Sequence, residues 1–203
     1  AVGELKESEF KDIFEEDLKS KRTFVHDVQV DTDVEMHIPD DYVNSIDERL
    51  RLYTELDKVA NEEELHDFTD KLRDRFGPVP RIVRELFEGL RLRWICKEMG
   101  FDRVVLKNNK LILFFIQNPQ SAFYETPFFT QFLALIASDG KDLGIKIKQS
   151  RSNLLVIQEN VQSLKAAHWT LEKLQKTLGR TTPAQSESQS ESQSETQSET
   201  QSA

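Results

Sequence analysis

The chain has 203 residues, 37% of them hydrophobic, and a net charge of −9. This length suggests one domain with appendages, and so acidic a chain disfavours direct binding to nucleic acid, because phosphate contacts need clustered lysine and arginine. A single cysteine, Cys96, excludes an intrachain disulfide. No segment resembles a signal peptide, and none reaches the roughly 18 apolar residues of a membrane span. We therefore predict a cytoplasmic location.

The first 37 residues form two predicted segments. Within residues 1–22, apolar side chains recur at helical spacing, which predicts an amphipathic helix over 4–19 followed by a linker. A helix this short is marginal alone and needs a surface to pack against. Residues 23–37 alternate apolar and polar side chains, which predicts an extended strap, either an edge strand or a segment lying over another surface. The apolar face of the helix would carry Leu5, Phe10, Ile13, Phe14 and Leu18.

Three helices are predicted between residues 38 and 99. Asn44 or Ser45 can cap the first, and Asn61 can cap the second, with Glu64 completing a capping-box pattern. The third runs from about residue 80 to residue 99 and carries the broadest apolar stripe, so we expect it to be the most buried. The expected buried stripe of the first helix is Ile46, Leu50, Tyr53 and Leu56.

The second and third helices meet at a corner formed by residues 74–80. Phe76 is expected to be the last core-facing residue of the second helix. Gly77 supplies the positive φ that ends a helix, and Pro78 and Pro80 prevent its continuation. Taken alone, these residues indicate a structural corner and no particular chemistry.

Two hairpins and two more helices are predicted after Gly100. An Asn108-Asn109 turn joins strands at 104–106 and 111–116, of which the second is apolar on both sides and therefore expected to be central. A second hairpin pairs 145–148 with 154–157. The inward-facing residues of the helix between the hairpins are expected to be Phe128, Phe129, Phe132, Leu133 and Ile136.

The last helix is predicted to be capped by Asn160 and ended by Gly179. The Gln-Ser-Glu repeat that follows buries too little apolar surface to order itself. The predicted fold is α+β, a small antiparallel sheet of two hairpins with several helices packed on it, preceded by a helix and an extended linker. The predicted divisions are 1–22, 23–37, a domain over 38–179, and a disordered tail over 180–203.

No catalytic motif is present: the sequence lacks GxSxG, HExxH, a phosphate-binding loop and a dinucleotide fingerprint. We therefore favour a non-catalytic interaction domain over an enzyme, such as a hydrolase, whose site would need polar groups converging in a pocket. A domain that contacts nucleic acid or RNA polymerase directly is the alternative, although the net charge disfavours it. Such a contact would use Arg81, Arg84, Arg91, Arg93 and Lys97.

Several motifs follow one another in order between residues 38 and 100. They are Ile38-Pro-Asp-Asp-Tyr-Val43, Arg49-Leu-Arg-Leu-Tyr53, Leu72-Arg-Asp-Arg-Phe-Gly77 with Pro80, and Leu90-Arg-Leu-Arg93 with Met99-Gly100. Together they resemble the C-terminal (TRCF) domain of bacterial transcription-repair coupling factors, the Mfd family. Residues 38–178 match that domain in length and order, residues 1–37 resemble the end of the translocase module and its linker, and the Gln-Ser-Glu tail is outside the family pattern.

The resemblance implies a regulatory part of a larger ATP-driven DNA translocase, which removes stalled RNA polymerase and recruits nucleotide excision repair through UvrA. ATP and magnesium would belong to the upstream motor, and this chain would hold no cofactor or metal. In the family, the domain packs on a UvrB-like module and masks its UvrA-binding surface. The helix before the corner makes that contact, which implies partner-binding roles for Asp74 and Arg75. Lys71, where relatives often have an acidic residue, is the third candidate.

Overall fold

A computed structural model describes residues 24–150 and 153–180. Within these residues, five strands form one sheet in the order β1-β2-β3-β5-β4. The strands are β1 (Gln29–Thr32), β2 (Phe101–Lys107), β3 (Lys110–Phe115), β4 (Ile145–Gln149) and β5 (Leu154–Glu159). The α-helices are α1 (Ile46–Leu56), α2 (Glu62–Phe76), α3 (Arg81–Glu98), α4 (Pro127–Asp139) and α5 (Leu164–Arg180), with a 3-10 turn at Ala122–Glu125. The predicted α+β class is confirmed.

The sheet is mixed, whereas two hairpins alone would have made it antiparallel. The β2–β3, β3–β5 and β4–β5 pairs are antiparallel, as predicted. The strap adds β1 in parallel to β2, with Gln29 opposite Arg103 and Thr32 opposite Leu106. Parallel pairing is possible because α1, α2 and α3 all lie between the two strands and return the chain to the same end of the sheet. The predicted helix over 4–19 and the tail beyond residue 180 lie outside the described residues.

The hairpin at Asn108-Asn109 forms as its turn chemistry predicts. Asn108 has φ 52° and Asn109 has φ 58°, the left-handed conformation that asparagine tolerates and that matches the twist of the flanking strands. The following strand, β3, is the centre of the sheet, with β2 on one side and β5 on the other. The prediction of a central second strand is therefore confirmed.

Two hydrophobic clusters share the long helix α3. The helical cluster contains Val83, Phe87 and Leu90 from its first half together with buried residues of α1 and α2. The sheet cluster contains Leu92 and Ile95 from its second half together with residues of the sheet, α4 and α5. Because one continuous helix contributes to both clusters, α3 fixes the corner relative to the sheet.

Two of the four residues predicted to be buried in α1 are exposed. Ile46 is 63% exposed and Leu50 is 60% exposed, whereas Leu52 and Leu56 are buried. The apolar residues of α1 lie on more than one side of the helix, and its neighbours cover the side that carries Leu52. Leu133 in α4, also predicted to face inward, is 36% exposed.

The last helix begins three residues later than predicted. Asn160 has φ 63°, which differs from the extended conformation of a residue that caps a helix. Ser163 caps α5 instead, because its hydroxyl accepts a hydrogen bond from the Ala166 N–H at 3.1 Å. Helix α5 also extends to Arg180, so Gly179 lies inside the helix and does not end it.

Candidate functional site

The corner between α2 and α3 is held by backbone conformation and by a tyrosine. Gly77 has φ 84° and donates its N–H to the Arg73 carbonyl at 2.9 Å, which closes α2. Pro80 stands at the N-terminal boundary of α3 in an extended conformation. The Tyr42 hydroxyl donates to the Gly77 carbonyl at 3.0 Å, and its ring packs edge-on against Phe76. The corner therefore has a defined shape before any partner binds.

The three predicted partner-binding residues lie on one side of α2, because their sequence spacing is three and four residues. Asp74 is exposed, and its carboxylate has no hydrogen-bond or ion-pair partner among residues 24–150 and 153–180. Its neighbour Arg73 is instead paired with Asp70 at 2.8 Å. Asp74 therefore presents an uncompensated negative charge at the corner.

The two cations among the predicted residues pair with carboxylates of α1. Arg75 Nη2 lies 2.7 Å from Glu48 Oε1, and Lys71 Nζ contacts the Glu55 carboxylate. The Arg75 guanidinium also lies 4.9 Å from the centroid of the Phe76 ring. Both cationic side chains keep a little under half of their area exposed, so each can meet a second partner from a fixed position.

Glu48 and Glu55 were not predicted as part of this site. The signal in the sequence was weak: two glutamates seven residues apart in one helix and two cations four residues apart in the next. Only the antiparallel packing of α1 against α2 brings Glu48 to Arg75 and Glu55 to Lys71. The site is therefore a row of charges across two helices.

The alternative basic surface on α3 is largely neutralised within the chain. Arg91 pairs with Glu62 and with Glu88, and the hydrogen bond from Arg91 lowers the pKa of Glu62. Arg93 pairs with two carboxylates as well, and Arg81 lies 3.7 Å from Glu85. Arg84 and Lys97 have no ion-pair partner among the described residues. A phosphate backbone would have to displace carboxylates from the other three cations, which disfavours α3 as a nucleic-acid surface.

Arg93 bridges the strap and α1. Its guanidinium lies 2.6 Å from Asp27 Oδ1 and 3.3 Å from Asp57 Oδ1. The hydrogen bond from Arg93 is the main reason that the pKa of Asp27 is lowered from its ordinary value of 3.8. Asp27 therefore stabilises the fold above that value, and its contribution is lost as the pH falls through the lowered pKa.

We expect Asp27→Asn to reduce the free energy of unfolding by about 0.5 kcal/mol at pH 7, a small value because the largely exposed carboxylate is screened by water. The difference from the wild type should shrink once the pH falls below 3.8. Urea unfolding at pH 7, 5 and 3 would measure it. Asp142→Asn, whose carboxylate has no ion-pair partner in the described chain, is the control, and a difference independent of pH would contradict this assignment.

One groove in the described chain shows no arrangement of an acid and a base. It has a volume of about 630 Å³ and lies between the strap, α1 and α3. Asp27 and Asp57, the carboxylates that line it, both pair with Arg93, the lining cation. Cys96 is fully buried, which raises the pKa of its thiol.

Within the described residues no group of histidine, cysteine and carboxylate side chains could hold a metal ion. None of the helices in residues 24–150 and 153–180 is long and apolar enough to span a membrane.

Comparison with known proteins identifies the same family as the motifs. Residues 32–126 match the profile of the TRCF domain. The transcription-repair-coupling factors of Mycobacterium bovis and Mycobacterium tuberculosis are each 36% identical over 78 residues, which is 38% of this chain and 6% of theirs. That of Rickettsia conorii is 28% identical over 109 residues, 54% of this chain and 9% of its own. The chain thus spans less than a tenth of these relatives.

A solved structure shares the fold. The crystal structure of the C-terminal domain of transcription-repair coupling factor matches with a TM-score of 0.58 at 17% identity, over 81% of this chain and 100% of that one. At this identity the match supports the fold alone. Together with the profile and the relatives, it confirms the resemblance inferred from the motifs.

Proposed function

Because this chain carries the TRCF domain of transcription-repair-coupling factors, we propose that it is the non-catalytic regulatory clamp of a protein of this family. The clamp binds the UvrB-like module of the same protein and masks the surface that UvrA recognises. ATP hydrolysis, and contacts with DNA and RNA polymerase, belong to other parts of the parent protein. The chain itself uses no cofactor and acts in the cytoplasm.

The observation that carries this proposal is the unpaired carboxylate of Asp74 at a rigid corner. An exposed, unpaired charge destabilises the free domain very little, because water solvates it. It interacts most favourably with a partner that carries the opposite charge at the contact. The neighbouring Arg75 is held by Glu48 with part of its guanidinium still exposed. The corner therefore offers an anion and a cation side by side, which suits a partner with the reverse arrangement.

A charged contact of this kind also suits a clamp that must open. Charged pairs contribute orientation and association rate more than affinity, so a competitor can displace them. An interface built from the buried apolar residues of α2 would be much harder to release. Lys71 contributes less to such a contact than Asp74 does, because Glu55 already balances its charge.

We expect Asp74→Lys to weaken binding of the chain to the separately expressed UvrB-like module by roughly tenfold or more, since a like-charge contact at an interface costs at least about 1.4 kcal/mol. Calorimetry with and without UvrA would measure this, and UvrA should abolish binding of the wild type. Asp142→Lys, an exposed charge reversal in the loop before β4, is the matched control and should bind normally.

Two outcomes would count against the proposal. Unchanged affinity in the Asp74→Lys variant would remove the corner from the contact. Simultaneous binding of UvrA and of this chain to the UvrB-like module would show that the chain does not mask the UvrA surface.

A further inference from the structure

The exposed apolar residues of α1 lie in a row that leads into the groove. Ile46 and Leu50 are four residues apart and expose 63% and 60% of their surfaces. Thr54 and Asp57 continue the same side of the helix, and both line the groove between the strap and α3. The exposed row and the groove are therefore one surface.

The walls of the groove are mostly apolar. The strap contributes Val28, Val30 and Met36, and α3 contributes Leu86 and Leu90. Single exposed apolar residues are common on folded proteins, but a row of them that continues into an apolar groove is typical of a surface that is covered. We define this surface, Ile46 and Leu50 together with the groove, as the α1 docking surface.

The adjacent N-terminal segment has the length to reach this surface. The described chain begins at Phe24, and Asp27 and Val28 already line the groove. Phe24 packs against Phe123 and Val25 is buried, so only residues 20–23 are free to extend from this point. They can span up to about 14 Å, which exceeds the roughly 10 Å that three extended residues place between Phe24 and Asp27. The predicted helix over 4–19 would be about 24 Å long, and α1 is about 16 Å long. A helix that starts beside Asp57 can therefore run along α1 to Ile46.

The chemistry of the segment complements the surface. Its predicted apolar face needs a partner, since a helix this short is not stable alone. Residues 4–17 contain seven acidic residues and two lysines. On α1, Arg51 and the nearby Lys58 are exposed beside the apolar row and have no ion-pair partner among the described residues. A tethered segment also docks at high effective concentration, because no second molecule has to be captured.

We propose that residues 4–19 bind as an amphipathic helix along the α1 docking surface, with their apolar side chains on Ile46, Leu50 and the groove. The acidic side of the helix then lies toward Arg51 and Lys58. This explains why two large apolar residues of α1 are not covered by the rest of the described chain. The inference is independent of the proposed clamp, because it uses a different side of α1 from the Glu48 contact.

Hydrogen exchange of the full chain tests the proposal. In the wild type, amides of residues 8–18 should exchange at least about tenfold more slowly than in an unstructured peptide. Burial of one exposed leucine shifts the equilibrium between the undocked and the docked segment by about that factor. Leu50→Lys and Phe14→Lys should each abolish the protection, and the double variant should lose no more than either. Trp169→Lys, a change at a residue that is 61% exposed on α5, should leave it intact.

The same measurements separate docking of the helix from unfolding of the domain and from dimerisation. Unchanged protection of the β3 amides in every variant shows that the fold is intact, and Leu50→Met should retain the protected segment. Absence of protection in the wild type, or protection that survives Leu50→Lys, would overturn the proposal. So would light scattering that shows a dimer of the wild type converted to a monomer by Leu50→Lys, because a second copy would then be the occupant.

Discussion

Replacement of Phe115 by alanine is expected to lower the free energy of unfolding by about 4 kcal/mol, the usual cost of deleting a fully buried ring. Phe115 is 0% exposed and ends the central strand β3. Its ring centroid lies 4.5 Å from that of Phe101 and 5.4 Å from those of Phe129 and Phe132. The variant loses these contacts at once and leaves a cavity that a rigid sheet cannot close.

Urea unfolding followed by circular dichroism would measure this loss. Phe114→Ala is the matched control, because Phe114 is the preceding residue of the same strand and its side chain points to the opposite face. Phe114 is only partly buried and packs under the Arg103 guanidinium. We expect its removal to cost less than half as much as that of Phe115. Equal losses would show that the aromatic cluster around Phe115 is not the main core.

Gly100→Ala is expected to cost about 3 kcal/mol, from a strained backbone and a steric clash together. Gly100 has φ 81°, a conformation that side chains with a Cβ rarely adopt. A Cβ atom there would also lie 2.1 Å from Cε2 of Phe123, which is buried within the aromatic cluster. Either the ring or the turn between α3 and β2 must move to relieve the overlap.

The control for this variant separates the two costs. Gly144 has φ 67°, and a Cβ atom added to it would meet no atom within 4 Å. Gly144→Ala should therefore lower the free energy of unfolding only by the cost of the strained backbone, about 1 kcal/mol. Thermal unfolding of both variants would show the difference. Equal shifts would mean that Phe123 moves aside freely and that the packing at Gly100 is loose.

Features governed by neighbouring residues were predictable from the sequence. The Asn61 side chain accepts the Glu64 N–H at 2.9 Å, as the capping pattern predicted. The Glu64 carboxylate accepts from the N–H of the preceding residue, Ala60, at 2.8 Å, and not from that of Asn61. The Asn108-Asn109 turn and the end of α2 at Gly77 also formed as expected. In each case the deciding hydrogen bond or backbone angle involves residues a few positions apart.

The candidate site was predicted in part. The resemblance to the family implied roles for Asp74, Arg75 and Lys71, and the structure places all three on one side of α2. Their partners Glu48 and Glu55 were not predicted, because a contact across two helices depends on how the helices pack. These site assignments stay predictions until the corner is tested by mutation.

For the described residues, the sequence by itself determined the helices, the hairpins, the corner at Gly77 and the resemblance to TRCF domains, because these depend on local periodicity, turn chemistry and ordered motifs. Only the tertiary structure decided that β1 pairs in parallel with β2 and that Arg93 connects the strap to α1. It also decided that Leu52, and not Leu50, is buried in α1. A helical pattern with apolar residues on more than one side does not specify which side is covered. That choice depends on the neighbouring elements, whose contacts join residues far apart in the chain.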